Sequence, residues 1–125
     1  MTVGKAAATA NSYLNVYRGT TLTGITVYLK LHTADPGAAG ATAASAVTTR
    51  NAVTFAAASA GSMALSSIGT YSMTASETIT HGSLWDASTA GNFMESFAFS
   101  AGVPVINGST LTVSGLTLSF TPIAA

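Results

Sequence analysis

Apolar and polar residues alternate with two different periods along this chain. Between residues 2 and 18 the apolar positions recur every three or four residues, which is the spacing of an amphipathic helix. The segment is rich in alanine, a strong helix former, and Gly19 follows it at a position where helices commonly end. We therefore predict one helix over residues 2–18, with a close-packing stripe made of Ala7, Ala10, Leu14 and Tyr17.

From residue 25 onward the period is two, which is typical of β-strands. The stretch ITVYLKLHT places two sets of side chains on opposite faces, namely Ile25, Val27, Leu29 and Leu31 on one and Thr26, Tyr28, Lys30 and His32 on the other. Similar runs follow at 50–59, 61–67, 69–76, 77–86, 91–100 and 109–121. Turn signals come about every ten residues, so we predict a mainly β fold, an antiparallel β-sandwich or jelly-roll-like domain of about seven or eight strands with one N-terminal α-helix.

The chain of 125 residues has the length of one domain. We predict a single domain over residues 1–125, in which residues 25–121 form the β-sandwich. The segment PGAAGATAASA, at 36–46, is low in complexity and has few side chains that could pack. We expect it to be a flexible surface loop, or an arm that becomes ordered against a neighbouring molecule.

Charged residues are rare, at 6% of the chain against about a quarter in an average protein. Four dispersed basic residues cannot form the basic surface that nucleic-acid binding requires, and a net charge of zero gives no attraction to lipid headgroups. We therefore expect neither a nucleic-acid nor a membrane partner. Because a nearly uncharged surface tends to self-associate, neighbouring subunits are expected to cover much of it.

Two further features limit where the protein acts. The chain has no cysteine, which excludes disulfides and thiolate metal sites. No apolar run approaches the roughly 18 residues needed to cross a bilayer, and the N-terminal segment lacks the continuous apolar stretch of a signal peptide. The sequence therefore predicts a protein that is made and used without secretion.

The stretch VYLKLHTADPGAAG raises the question of chemistry, because His32 and Asp35 lie close together where a strand ends. They could be a metal-ligand pair or two members of a catalytic triad. The alternation instead places His32 on the outward face, beside Lys30. The Asp-Pro-Gly sequence is typical of a turn in which Asp35 bonds to the turn backbone and Pro36 fixes φ. We therefore predict a structural role for Asp35 and Pro36.

The other candidates form no recognisable motif. His81 and Asp86 could join His32 in a metal site, but no ligand spacing supports one. No serine lies in Gly-x-Ser-x-Gly, and the acids Glu77, Asp86 and Glu95 show no organising pattern. The aromatic side chains of the strands are expected in the core, namely Trp85, Phe93, Phe97, Phe99 and Phe120. We predict no catalytic residue, no metal ligand and no cofactor.

Arg50 is the only basic residue after Lys30, and it opens the strand RNAVTF. If its guanidinium is partly buried, it needs a carboxylate, and Asp35 and Asp86 both lie where a strand meets a turn. We predict a structural pair between Arg50 and one of them. The alternative is an exposed arginine at a strand edge.

Taken in order, these motifs resemble a family of small virion proteins of tailed bacteriophages. The resemblance covers nearly the whole chain. It is carried by the strings LHTADP, RNAVTF and WDASTAGN, which begin at Leu31, Arg50 and Trp85. Members are described as tail fibre proteins or as minor capsid and head-decoration proteins. The resemblance implies a β-rich virion component without enzyme activity, made in the bacterial cytoplasm.

The leading hypothesis from the sequence is a capsid decoration or minor capsid protein that binds the outside of the shell and stabilises it. Its expected partners are the major capsid protein, copies of itself, or both, with a trimer expected because closed symmetry hides weakly charged faces. One alternative is a tail fibre or tail-tip component that contacts the host surface. Another is a small carbohydrate-binding or hydrolase module, which would need His32 and His81 close to each other and to an acid.

Overall fold

In the computed structural model, which describes residues 3–120, the chain forms one α-helix and eight β-strands. The helix α1 spans Ala7–Asn15 and continues as a short 3₁₀ turn, Val16–Arg18. The strands are β1 Val27–His32, β2 Asn51–Phe55, β3 Ser62–Ile68, β4 Tyr71–Ser72, β5 Glu77–Trp85, β6 Phe93–Val105, β7 Thr110–Leu111 and β8 Thr117–Ser119. The predicted mainly β class with an N-terminal helix is confirmed.

The strands are arranged as one large antiparallel sheet and one small ribbon. Six strands form the sheet in the order β6-β5-β1-β2-β3-β8, while β4 and β7 pair with each other. The longest pairing is the β5–β6 hairpin, which runs from Glu77 opposite Val105 to Trp85 opposite Phe93. The second layer of the fold is therefore only two strands wide, and the large sheet must curl to enclose its apolar face.

The core lies between the curled sheet and the ribbon. Leu29 and Leu31 of β1 are fully buried, as the period-two pattern predicts. They pack in one cluster with Ile79 and, from the β4 region, Tyr71 and Met73. The Tyr71 hydroxyl donates a hydrogen bond of 2.5 Å to the Leu29 carbonyl, so the one polar atom of that ring is satisfied inside the core.

The N-terminal segment covers the outer edge of the sheet at β6. The Ala6 amide donates to the Met94 carbonyl at 2.7 Å, and the Ser96 amide donates to the Gly4 carbonyl at 2.8 Å. Between these bonds the Lys5 ammonium lies 2.7 Å from the Glu95 carboxylate. The first part of this edge strand, at residues 94–96, is thus paired by the chain itself and does not expose its backbone groups.

The N-terminal segment and α1 contact both edge strands of the curled sheet, β6 at one edge and the end of β8 at the other. Phe120, directly after β8, packs edge-on against Tyr13 of α1 with ring centroids 5.6 Å apart. The Lys5 ammonium lies 4.6 Å from the centre of the Phe120 ring. Contacts of this cation–π kind add roughly 0.5–1 kcal/mol at exposed sites, so they hold the curled sheet only modestly.

The helix differs from its prediction in bounds and in facing. The predicted start at residue 2 lies outside the described residues, and α1 begins at Ala7 because the residues before it bond to β6. The predicted packing stripe is wrong, since Leu14 is 62% and Tyr17 is 92% exposed. The helix instead packs through Thr9, which is buried, and Tyr13, one turn later on the same face.

Residues 36–46 lie against the body of this same chain. The Thr33 amide donates to the Ala43 carbonyl at 2.9 Å, and the Ser45 amide donates to the Leu31 carbonyl at 3.1 Å. Gly40 is buried under the Phe93 ring, with no room for a side chain. The segment therefore forms a lid over the end of β1, and small residues are what allow it to lie so close.

Candidate functional site

His32 is the centre of a buried polar network under the 36–46 lid. The side chain is fully buried, with Nδ1 2.9 Å from the Thr42 carbonyl and Nε2 2.7 Å from the Ser83 hydroxyl. A carbonyl can only accept, so Nδ1 carries the proton and Nε2 accepts from Ser83. The Ser83 oxygen in turn accepts from the Trp85 indole N–H at 2.8 Å. Every polar atom of this network has a partner.

His32 lies on the strand face predicted for it, but that face is not open to solvent at this position. Tyr28, Lys30 and His32 do share the face of β1 opposite to the core, but the lid covers the His32 end of that face. Burial lowers the pKa of His32, and the nearby Lys30 and His81 lower it further. The imidazole is therefore neutral, fully bonded and closed to substrate, as a structural histidine would be.

The two histidines lie opposite each other in register on β1 and β5. His81 is half-buried, and its Nδ1 lies 2.8 Å from the Thr80 hydroxyl. Within residues 3–120, no group of three or more histidine and acidic side chains is placed to hold a metal ion. Two adjacent imidazoles without an acid do not form the triad or the metal site considered from the sequence.

Asp35 and Pro36 build the turn at which the lid begins. The Asp35 carboxylate accepts a hydrogen bond of 2.8 Å from the Gly37 amide, which is the side-chain-to-backbone turn predicted for it. Pro36 is buried, and its carbonyl accepts from the Thr42 amide at 2.9 Å. Asp35 therefore orders the lid, and within residues 3–120 it forms no ion pair.

Arg50 takes part in a different contact from the predicted one. No ion pair within 4.0 Å joins it to Asp35 or Asp86 among the described residues. Its guanidinium lies 3.8 Å from the centre of the Trp85 ring and donates to the carbonyls of Ala87, at 3.1 Å, and Ala90. Carbonyl oxygens and the ring face satisfy the cation, so it does not need a carboxylate.

Asp86 and Asn92 are the two ends of the 86–92 turn whose carbonyls Arg50 contacts, and the Asp86 carboxylate bonds to Asn92 across it. One carboxylate oxygen accepts from the Asn92 amide at 2.6 Å and the other from the Asn92 side chain at 2.9 Å. These two bonds, first the backbone and then the side-chain one, lower the pKa of Asp86. Arg50 and Asp86 thus hold residues 86–92 in one conformation, and the pair considered between His81 and Asp86 is not formed.

The acids that sequence reasoning left without a role each have a structural partner. Glu77 accepts from the Ser45 hydroxyl and from the Ala46 amide at 3.2 Å, which fixes the far end of the lid. Glu95 pairs with Lys5 at 2.7 Å. These partners are far apart in sequence, so no local pattern identifies them. Ser83 is different, because it lies two residues after His81 and period two already places it on that face.

One groove opens on the surface beside the helix. It has a volume of about 460 Å³ and lies between α1, residues 20–25, the 86–92 turn and the start of β6. Its walls combine aromatic, aliphatic and polar side chains, among them Tyr13, Leu22, Ile25, Asp86, Asn92 and Phe93. A groove of this size can hold a side chain or small group from another molecule.

Exposed apolar side chains cluster next to this groove. Of the nine large apolar side chains exposed within residues 3–120, five fall between residues 14 and 25, so the exposure is concentrated in one stretch. We call these five the N-terminal face, which consists of Leu14, Val16, Tyr17, Leu22 and Ile25. The predicted core position of Phe120 is also wrong, since it is 59% exposed.

These features define a class of protein. It is a small, neutral β domain whose buried and turn polar groups bond within the chain, and whose N-terminal face exposes large apolar side chains. Within residues 3–120, no helix has the length and apolar character needed to span a bilayer. A family model described as Podophage GP4 fiber I protein gp80 matches residues 4–121. The chain belongs to this family, which confirms the predicted resemblance to virion structural proteins of tailed phages. No curated protein matches the chain.

Proposed function

We propose that this chain is a fibre component of a podophage particle and has no enzyme activity. The observation that carries the proposal is the family match over residues 4–121, whose description names a fibre protein. The structure supports it, because both histidines and the acids make internal contacts and, within residues 3–120, form no group placed to hold a metal ion. The feature available for contact with other proteins is exposed apolar surface, above all that of the N-terminal face.

The proposed mechanism is mechanical. A β domain with a satisfied polar interior, in which the N-terminal segment pairs residues 94–96 of the edge strand β6, leaves less open strand edge through which copies could polymerise. Contacts then come from defined surfaces and add up over the copies of a particle. Even a few kcal/mol for each contact favours assembly strongly when many copies act together.

Capsid decoration is the second candidate. One observation favours it: the described residues form a compact β unit, with one short helix and no long repeated segment that would make a fibre shaft. A unit of this shape would bind across the junctions of a shell and strengthen them. In that case the major capsid protein is the partner, and in both cases copies of the chain itself, as a trimer, are proposed partners.

Copy number and position on purified particles separate the two candidates. Quantitative mass spectrometry of virions gives the ratio of this chain to the major capsid protein, and gold-labelled antibody locates it. The fibre proposal expects a low ratio and label at the fibres. A ratio close to that of the capsid protein, with label over the whole head, would replace it with the decoration role. Absence from washed particles would contradict both.

A further inference from the structure

The N-terminal face differs from an ordinary surface in the size of the apolar side chains that it exposes. Tyr17 is 92% exposed at the end of α1, although a buried or half-covered position is usual for so large a ring. Leu14 and Val16 lie beside it and are exposed as well. We call Leu14, Val16 and Tyr17 the knob. The apolar area gathered here is of the kind that marks a contact with another protein.

The backbone that follows the knob is also without partners inside the chain. Among the described residues, no backbone hydrogen bond outside helices and strands involves residues 21–25. This segment forms one wall of the groove and exposes Leu22 and Ile25. Leu22 is 47% and Ile25 is 49% exposed, so this chain covers only about half of each side chain, and a molecule in the groove would bury more of both.

Knob and groove lie on different parts of the same chain. The side chains of the knob do not line the groove, although both surfaces begin on α1. At about 460 Å³, the groove falls within the range of roughly 300–1,000 Å³ that encloses small-molecule ligands, so it has room for one tyrosine ring. A projecting ring and a separate receiving groove on one molecule can join head to tail.

The charges fit a contact between identical copies. Arg18 is the only charged residue between Lys5 and Lys30, it is exposed, and it follows directly on Tyr17. The groove contains one acid, Asp86, whose pKa is lowered by its bonds to Asn92, so the carboxylate remains charged. A cation beside the knob and an anion in the groove attract when two copies meet. The net charge of zero leaves no general repulsion to oppose them.

We propose that the knob of one copy inserts into the groove of the next copy, with Tyr17 among Tyr13, Ile25 and Phe93 and with Arg18 near Asp86. The inference rests on the proposed role as a repeated virion part, since it supplies the contact between copies. A head-to-tail contact closes into a ring when the rotation between neighbouring copies is a whole fraction of a turn, and the expected trimer is the ring with a rotation of one third. The occupant of the groove is therefore a second copy of this chain.

The first test is the mass of the purified full-length chain in solution, measured by light scattering after size exclusion over a range of concentrations. The wild type should have about three times the monomer mass of 12.4 kDa at high concentration. Tyr17→Asp, which alters the knob, and Ile25→Asp, which alters the groove, should both be monomeric. The matched control is Ile106→Asp, because Ile106 is 67% exposed but belongs to neither surface, and it should assemble like the wild type.

The second test distinguishes a knob in a groove from a symmetric contact of one patch with itself. Tyr17→Asp keeps its groove and Ile25→Asp keeps its knob, so mixing the two restores one complete contact for each pair of chains. The mixture should contain a heterodimer that neither variant forms alone, and this also shows that both variants are folded. A mixture that remains monomeric would contradict the head-to-tail arrangement. A wild-type chain that is monomeric throughout would overturn self-association and leave the virion role to be judged on particles.

Discussion

Two regions of the molecule use polar and apolar side chains in opposite ways. Under the 36–46 lid, polar atoms are buried and all are bonded, from the Thr42 carbonyl through His32 and Ser83 to Trp85. At the N-terminal face, apolar side chains are in solvent, and among the described residues the backbone of 21–25 has no hydrogen bond to another backbone group. Burying polar groups and exposing apolar ones both cost free energy unless something compensates.

Under the lid, hydrogen bonds within the chain compensate for the burial of polar groups. At the N-terminal face, the compensation for exposed apolar side chains must come from another molecule. The lid network is complete as it stands, so its residues contribute to folding and make no demand on a partner. The N-terminal face is incomplete, so its residues should contribute little to folding and much to assembly. The predictions below test this division, beginning with the largest expected effect.

A leucine from each region gives the most direct comparison. Leu31 is fully buried, so Leu31→Ala leaves a cavity and should lower the free energy of unfolding by about 2–5 kcal/mol. Leu14 is 62% exposed, and Leu14→Ala should change the free energy by no more than about 0.5 kcal/mol. Urea unfolding of dilute samples measures both. Equal losses would mean that the helix end is packed against this chain after all.

The lid network makes the second prediction. Ser83→Ala removes the donor to His32 and the acceptor for Trp85 at once. Each buried group left without a partner costs about 1–3 kcal/mol, so the loss of stability should exceed that of an ordinary surface substitution several-fold. Ser66→Ala, on the exposed face of β3, is the matched control and should be nearly neutral. A neutral Ser83→Ala would show that the hydroxyl is dispensable.

The alternation along the chain is sufficient to predict the elements and the core side of β1. It fails at His32 because period two assigns a face to a residue but does not say what covers that face. Here the cover is the lid, a segment whose small side chains suggested mobility. Its order comes from contacts distant in sequence, such as Glu77 with Ser45, which no local pattern reveals.

The helix shows the converse failure. An alanine-rich stripe at helical spacing predicts a helix correctly, yet the same spacing cannot tell a stripe that packs on its own domain from one kept for another molecule. The structure places Thr9 inward and Tyr17 outward, the reverse of what hydrophobicity alone indicates. The predicted carboxylate partner of Arg50 fails for a related reason, because a sequence shows where charges are but not which carbonyl oxygens and ring faces lie near the guanidinium.

The fit of the lid gives the third prediction, which should be smaller. Gly40 has φ +68° and a side chain there would overlap the Phe93 ring, so Gly40→Ala adds a clash to the cost of a left-handed alanine, roughly 1–2 kcal/mol. Gly108 has φ +88° but open space around it, so Gly108→Ala carries the backbone cost alone. The difference between their urea midpoints measures how closely the lid is packed. Identical midpoints would show that the lid lifts at no cost.

The smallest effect should be the dependence of stability on pH. Burial lowers the pKa of folded His32 below the ordinary value of 6.5, whereas in the unfolded chain the group titrates near that value. Below pH 6.5 the unfolded chain therefore binds a proton that the folded chain does not. The free energy of unfolding should fall as the pH is lowered from 6.5 through the folded pKa, and should be constant above about pH 7.

A variant of His32 itself tests this titration, because His32 is the histidine that the lid buries. His32→Gln should lose most of the decline between pH 7 and pH 5 and should be less stable throughout. The lowered pKa of Asp86 acts at more acidic pH and does not enter this window. If the decline persisted in His32→Gln, burial of His32 under the lid would not be its cause, and the contrast between the closed lid and the open N-terminal face would fail at the lid.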